Sequence, residues 1–136
     1  FEVDVVVVSL GVNDVTGGVR LKSWLTYQDT LRELLVSKFN AKHIILSSVP
    51  PMGRFPSLPQ PLRWFLGRKC EVFNTALYAQ SQQFVELQYL DINFPMEDGY
   101  IALDGFHPST KAYELWSNLL VKEIINHINN SRNLLP

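Results

Sequence analysis

The chain has 136 residues and a mass of 15.6 kDa, which is the size of one domain rather than two. Hydrophobic residues make up 46% of it and charged residues 18%, a balance that supplies a core and excludes intrinsic disorder. Twelve Lys and Arg residues against thirteen Asp and Glu residues leave a formal net charge of -1, which excludes nucleic-acid binding driven by overall charge.

The sequence also argues against a transmembrane segment, an internal disulfide and a thiolate zinc cluster. The longest apolar runs, such as Val5 to Val8, are far too short for a transmembrane segment. The single cysteine, Cys70, excludes an internal disulfide and a thiolate zinc cluster. We therefore expect one soluble globular domain.

The first part of the chain alternates strand and helix patterns. Residues 3–9 (VDVVVVS) are β-branched and almost wholly apolar, which predicts a parallel strand covered on both faces. Leu21 to Phe39 has apolar residues at helical spacing and predicts the first long helix. His43 to Ser48 (HIILSS) predicts a second buried strand, which ends at Pro50 and Pro51.

The alternation continues after an irregular loop. Residues 50–61 hold five of the eight prolines, which is typical of a loop. We expect a helix from Leu62 to about Phe84, a third strand over residues 85–91 (VELQYLD) and a last helix from about Ser109 to Asn129. The residues of the Leu62 helix that are expected to face inward are Trp64, Phe65, Val72, Phe73, Ala76 and Leu77.

This order of elements predicts an α/β fold, a parallel sheet with helices on its faces. Ligands of such sheets bind beyond the carboxyl ends of the strands, here residues 11–14, 47–50 and 91–107. The first strand is the most apolar of the three, yet three strands alone leave it at an open edge. We therefore expect further strands to precede Phe1, so that residues 1–136 are the C-terminal two-thirds of a single domain.

Asp104-Gly105-Phe106-His107 is the first candidate for chemistry. A carboxylate three residues before an imidazole can accept a hydrogen bond from Nδ1–H, which fixes the tautomer and leaves Nε2 as a base. Ser109 or Thr110 can then cap the helix that follows. The alternative is an ordinary loop in which Asp104 caps the backbone and His107 is exposed, and so short a motif taken alone favours it.

Gly11-Val12-Asn13-Asp14 is the second candidate. A glycine at the end of a buried strand permits a sharp turn, which leaves Asn13 at the carboxyl edge of the sheet. The amide of Asn13 can donate a hydrogen bond to a developing oxyanion. The alternative is ordinary turn chemistry, which is again favoured when the motif is taken alone.

Taken together and in this order, the two motifs resemble those of the SGNH (GDSL-type) hydrolase family. The resemblance implies a three-layer αβα, flavodoxin-like fold and a serine-dependent hydrolysis of small-molecule esters or lipids, which would require no metal or other cofactor. It makes His107 the general base, Asp104 its orienting partner and Asn13 an oxyanion-hole donor. The family's nucleophilic serine, which lies in a Gly-Asp-Ser motif, and a second oxyanion glycine have no match here, so the resemblance implies that both lie upstream of Phe1.

Two questions about the nucleophile stay open. Ser9, Ser47 and Ser48 lie at strand ends and are alternative nucleophiles, although none lies in a Gly-x-Ser-x-Gly elbow. The domain could also be a catalytically inactive relative that binds carbohydrate or protein, or a fragment that lacks its nucleophile.

Two surface features also have alternative interpretations. The apolar residues of segment 50–66 either line a pocket for an acyl chain or cover the sheet. A loose group of basic residues either forms a solvated face or binds an anionic lipid or substrate. This group consists of Arg54, Arg63, Arg68 and Lys69.

Overall fold

A computed structural model describes residues 2–95 and 99–133, with side chains as far as residue 130. It contains two compact units, Phe1–Asn93 and Phe94–Pro136. The elements of the first unit are β1 (Val5–Val8), α1 (Val12–Thr16), α2 (Leu21–Phe39), β2 (His43–Ser47), a 3₁₀ turn (Met52–Arg54), α3 (Leu62–Ser81) and β3 (Leu87–Leu90). The second unit contains α4 (Thr110–Asn133). Within the described ranges, no helix combines the length and the apolar character that crossing a membrane requires.

The three strands form a parallel sheet in the order β1-β2-β3. In the register of this sheet, Val6 lies opposite Ile44 and Leu46 lies opposite Tyr89. Every residue of the central strand β2 is buried, and Ile44 and Ile45 are completely inaccessible. Because successive side chains of a strand point to opposite faces, β2 is covered on both sides of the sheet.

Strand β1 is shorter and less buried than its sequence predicts. We expected it to be covered on both faces over residues 3–9, but it spans Val5–Val8 and Val7 is 40% exposed. Among the described residues β1 pairs only with β2, so its coverage by further strands upstream of Phe1 stays a prediction.

Helices α2 and α3 form the connections between successive parallel strands. Because such crossovers are right-handed and both run in the same direction across the sheet, the two helices lie on the same face. Trp24 of α2 packs on Phe73 of α3, with ring centroids 4.7 Å apart, and both side chains are almost fully buried. This contact between helices is a central part of the core of the first unit.

The buried face of α3 differs from the predicted one. Phe73 and Leu77 are buried as expected, but Trp64, Phe65 and Val72 are 63%, 57% and 51% exposed. The buried positions recur at helical spacing and are Leu66, Cys70, Phe73, Leu77 and Ser81. The prediction was wrong because it placed large apolar side chains inward, whereas the helix buries the small residues Cys70 and Ser81.

Two glycines allow α3 to approach the 3₁₀ turn closely. A Cβ added at Gly67 would lie 2.6 Å from the Cα atom of Gly53 and 2.9 Å from its backbone nitrogen. Both are backbone atoms, so no side chain can move aside to relieve the overlap. Met52, in the same turn, is completely buried. The proline-rich loop is therefore held against α3 by backbone packing.

We expect Gly67→Ala to destabilise the complete protein, which is the reverse of the usual effect inside a helix. At an open helical position alanine is favoured over glycine by about 0.5–1 kcal/mol. Here the added Cβ meets the Gly53 backbone, and such overpacking costs typically about 1–3 kcal/mol. Thermal unfolding followed by circular dichroism measures the change.

The matched control is Ala79→Gly at an exposed position of the same helix, which should cost about 1 kcal/mol through helix propensity alone. A Tm of Gly67→Ala above that of the unmodified protein would contradict the close contact.

Candidate catalytic site

Residues 99–109 form a closed loop that ends at α4. The Ala102 N–H donates to the His107 carbonyl at 2.8 Å, and the Ser109 N–H donates to the Tyr100 carbonyl at 3.0 Å. Gly105 has a φ of 72°, in the left-handed region that favours glycine. These bonds place residues 104–107 at the tip of the loop.

The two carboxylate oxygens of Asp104 have different partners. Oδ1 accepts hydrogen bonds from the backbone N–H groups of Phe106, at 2.9 Å, and His107, at 3.0 Å. Oδ2 lies 2.5 Å from Nδ1 of His107. Because a carboxylate only accepts, Nδ1 carries the proton in this contact and Nε2 is the acceptor of the neutral ring.

The structure thus combines the two interpretations of this motif. Asp104 caps the loop backbone and His107 is exposed, as in an ordinary loop. The same carboxylate also makes the Nδ1 contact that the spacing predicts. The imidazole is further positioned by Phe106, whose ring stands edge-on to it at 5.4 Å between centroids. The catalytic use of the pair stays a prediction.

The hydrogen bonds to Asp104 stabilise its charged form. They lower its pKa from 3.8 to about 2, with the His107 contact as the largest cause and the backbone N–H groups of Phe106 and His107 next. Since the folded-state pKa is the lower one, the contribution of Asp104 to stability is present above about pH 4 and is lost as the pH falls through about 2. Asp104 therefore stays negative throughout the range in which histidines titrate.

Ser109 connects this loop to α4. Its hydroxyl accepts a hydrogen bond from the Ala112 N–H at 3.3 Å, as an N-cap does, and donates to the Gly99 carbonyl. Ser109 is thus the capping residue, one of the two that the sequence offered. The sequence gives no signal for Tyr100, whose ring stacks on Phe94 with centroids 6.4 Å apart.

Asn13 belongs to the first unit and lies in α1, five residues after the end of β1. Gly11, which precedes α1, has a φ of 134°, and a Cβ added there would lie 2.5 Å from Cγ2 of Val49. Only glycine fits both the backbone conformation and the space, as the turn motif predicts. The Val15 N–H then donates to the Gly11 carbonyl at 2.9 Å, and the buried Val15 side chain anchors α1.

The side chain of Asn13 is exposed and makes no hydrogen bond to the residues that the structure describes. Its backbone carbonyl, in contrast, accepts from the Gly17 N–H at 2.8 Å. The backbone is fixed while the amide group remains a potential donor. The sequence analysis did not predict that this turn is a short helix.

The three candidate serines differ in accessibility. Ser47 and Ser48 are almost fully buried, and Ser48 Oγ accepts a hydrogen bond from the Ile92 N–H at 2.7 Å. Ser9 is exposed. Ser47 and Ser48 therefore lack the access to a substrate that a nucleophile needs, and Ser48 satisfies a backbone donor instead.

Segment 50–66 covers the core in its first part and exposes apolar side chains in its last, and the acyl-chain interpretation stays a prediction. Met52 and Phe55 are buried and cover the core, whereas Leu62, Trp64 and Phe65 are exposed at the start of α3.

Among the described residues, no group of three His, Cys, Asp or Glu side chains is arranged to hold a metal ion.

Comparison with known proteins identifies the family. Residues 1–115 match the model of the GDSL-like Lipase/Acylhydrolase family. The chain belongs to this family. This family membership and the parallel sheet flanked by helices agree with the SGNH hydrolase fold that the two motifs imply.

A solved structure from Streptococcus pneumonia, assigned provisionally as a platelet activating factor, has the same fold. The TM-score is 0.75 at 18% sequence identity, over 89% of this GDSL-like chain and 59% of the other. The GDSL-like chain thus spans less than two-thirds of that structure. No protein of curated function matches the GDSL-like chain.

We expect Asp104→Asn to change the tautomer of His107 while the loop stays folded. Asparagine keeps an oxygen that can accept from the two backbone N–H groups, but its NH₂ replaces Oδ2 and must donate to Nδ1. At alkaline pH, ¹⁵N NMR of the imidazole should show the Nδ1–H form in the unmodified protein and the Nε2–H form in the variant.

His43 and His127 provide internal references whose signals should not move. Asp104→Ala, which removes both kinds of contact, should also shift the backbone amide signals of residues 104–107. The same His107 tautomer in the unmodified protein and in Asp104→Asn would refute the assigned roles of the two oxygens.

Proposed function

We propose that the complete protein hydrolyses carboxylic esters through an acyl-serine intermediate. In this proposal His107 is the general base and then the general acid, Asp104 orients it, and Asn13 donates to the oxyanion. The observation that carries the proposal is the contact between Asp104 Oδ2 and His107 Nδ1, which leaves an exposed Nε2 able to accept a proton. Membership of a lipase/acylhydrolase family supports an ester as the substrate.

The nucleophile in this proposal is a serine that precedes Phe1. The resemblance to the SGNH family supports this position, since the family's Gly-Asp-Ser motif comes before the Gly-x-Asn-Asp turn. The burial of Ser47 and Ser48 also supports it, because it removes two of the three internal alternatives.

The proposed reaction has two halves. The serine oxygen attacks the ester carbonyl carbon while Nε2 of His107 takes the hydroxyl proton, and the Asn13 amide donates to the resulting oxyanion. His107 then gives its proton to the leaving alcohol, and an acyl-serine remains. Water, deprotonated by His107, attacks the acyl carbon in the same way, which releases the carboxylic acid and restores the serine. Asp104 keeps its negative charge throughout and stabilises the imidazolium.

A serine-directed phosphonate probe tests the nucleophile and the base together. We expect one adduct per complete protein by intact mass, and peptide mapping should place it before Phe1. His107→Ala should lower both the labelling rate and kcat on a soluble acetate ester by at least about 10³ without changing the Tm. His127→Ala, which removes a histidine from α4, is the control and should keep the activity.

Two other outcomes of this experiment would contradict the proposal. An adduct on Ser9, Ser47 or Ser48 would overturn the upstream nucleophile. A folded, complete protein that is neither labelled nor active on esters would favour an inactive relative that serves as a binding module.

We expect Asn13→Ala to lower kcat by about 10²–10³ with little change in KM, because an oxyanion donor acts mainly in the transition state. Steady-state kinetics on the same acetate ester measures this split. Asn13→Asp has nearly the same shape but cannot donate, so it should lose at least as much activity. Asp14→Asn is the neighbouring control and should keep kcat; an equal loss there would indicate a disturbed turn rather than a lost donor.

A further inference from the structure

Helix α3 has an exposed face that the core does not use. Phe65, Arg68, Lys69 and Val72 recur at i, i+3, i+4 and i+7 and so lie along one side of the helix. Trp64 adjoins them, and Trp64, Phe65 and Val72 are all more than half exposed. We call these five residues the α3 outer face.

The α3 outer face borders an open groove of about 610 Å³. The opposite wall is the connection between α1 and α2, where Val19, Arg20 and Leu21 line the groove. Apolar and cationic side chains therefore both line the groove, and none of the described residues that line it carries a carboxylate. A groove of this composition is suited to a partner that is apolar and anionic at once.

The charge of the surrounding segment has the same sign. Between Glu33 and Glu71 the sequence contains no acidic residue, although it contains six of the twelve Lys and Arg residues. Four of these six lie in the 3₁₀ turn or on α3, whereas Lys38 lies in the last turn of α2 and Lys42 pairs with Glu2 and Asp4. Such segregation provides charge complementarity to an anionic surface.

The cations of the groove are available to such a surface. Arg68 pairs with Glu71 at 2.7 Å, but both side chains are 65% exposed, and exposed pairs of this kind are weak and screened by salt. Lys69 donates to the Val15 carbonyl at 2.9 Å, which fixes it beside the groove without neutralising its charge. Arg20 is exposed on the opposite wall.

We propose that the α3 outer face binds the surface of an anionic phospholipid bilayer. Tryptophan and phenylalanine side chains settle at the level of the headgroups, and Arg and Lys attract anionic headgroups. A helix that exposes both kinds of side chain can lie in the plane of the interface. The proposal does not depend on ester hydrolysis, because it uses none of the residues assigned to catalysis.

Sedimentation of the complete protein with vesicles tests this proposal. We expect binding to phosphatidylcholine vesicles that contain phosphatidylglycerol, none to phosphatidylcholine alone, and weaker binding as salt is added. The fluorescence of Trp64 should shift to the blue on binding. Trp64→Phe should lose this shift but still bind, since Trp24 is buried and Trp116, on α4, does not line the groove.

Paired variants test the face itself. Each cation near an anionic surface contributes about five-fold in affinity, so Arg20→Ala with Arg68→Ala should weaken binding about 25-fold. Lys38→Ala with Lys122→Ala makes the same change of net charge at exposed positions that do not line the groove, and should have little effect. Phe65→Ser with Val72→Ser should also weaken binding, while Val121→Ser with Ile125→Ser on α4 should not.

Three results would overturn the proposal, provided that the variants keep the Tm and the soluble-ester activity of the unmodified protein. They are no binding to the anionic vesicles, equal losses in the groove and control pairs, and a dimer in light scattering that Phe65→Ser with Val72→Ser dissociates. The last result would mean that a second copy of the chain covers this face.

Discussion

The geometry of the candidate site depends on one carboxylate, that of Asp104. Its Oδ1 holds the backbone at Phe106 and His107, and its Oδ2 orients the imidazole. Both side chains are exposed, so burial cannot fix this arrangement. It is fixed instead by three hydrogen bonds that converge on one charged group, and bonds to an ionised acceptor are the stronger kind. The loop and the orientation of the histidine are consequently lost together if the carboxylate is removed.

The first unit depends instead on glycines at positions where there is no space for a side chain. Gly11 lies where β1 must turn into α1, and any Cβ there would meet Val49. Gly67 and Gly53 bring α3 and the 3₁₀ turn into backbone contact. In both places a methyl group would displace an element rather than fill a gap. The position of Asn13 depends on the first of these constraints, because α1 begins directly after Gly11.

Features that depend on residues close together in sequence could be predicted, whereas features that depend on distant parts of the chain could not. The Asp104–His107 contact was predictable because three residues separate its partners, and the bounds of α2 were predictable from local periodicity alone. The burial of Trp64 was not predictable, because it depends on which face of α3 meets α2, and that face is set by parts of the chain that are distant in sequence. The helix α1 was missed because its five residues show no periodicity. The catalytic roles of Asn13 and His107 come from family resemblance and are therefore proposals.

Two exposed features of this protein, the Asp104–His107 pair and the apolar side chains of α3, have different physical meanings. Asp104 and His107 are polar and bonded to each other, so water solvates them at little cost, and their role is inferred from their hydrogen bonds. Trp64, Phe65 and Val72 are apolar, and each Å² that they expose is unfavourable by about 25 cal/mol, which a covering partner would recover. The exposed apolar area alone does not specify the partner, since any apolar surface could cover it. The surrounding cations decide between partners, because Arg20, Arg68 and Lys69 favour an anionic surface and disfavour a neutral or basic one.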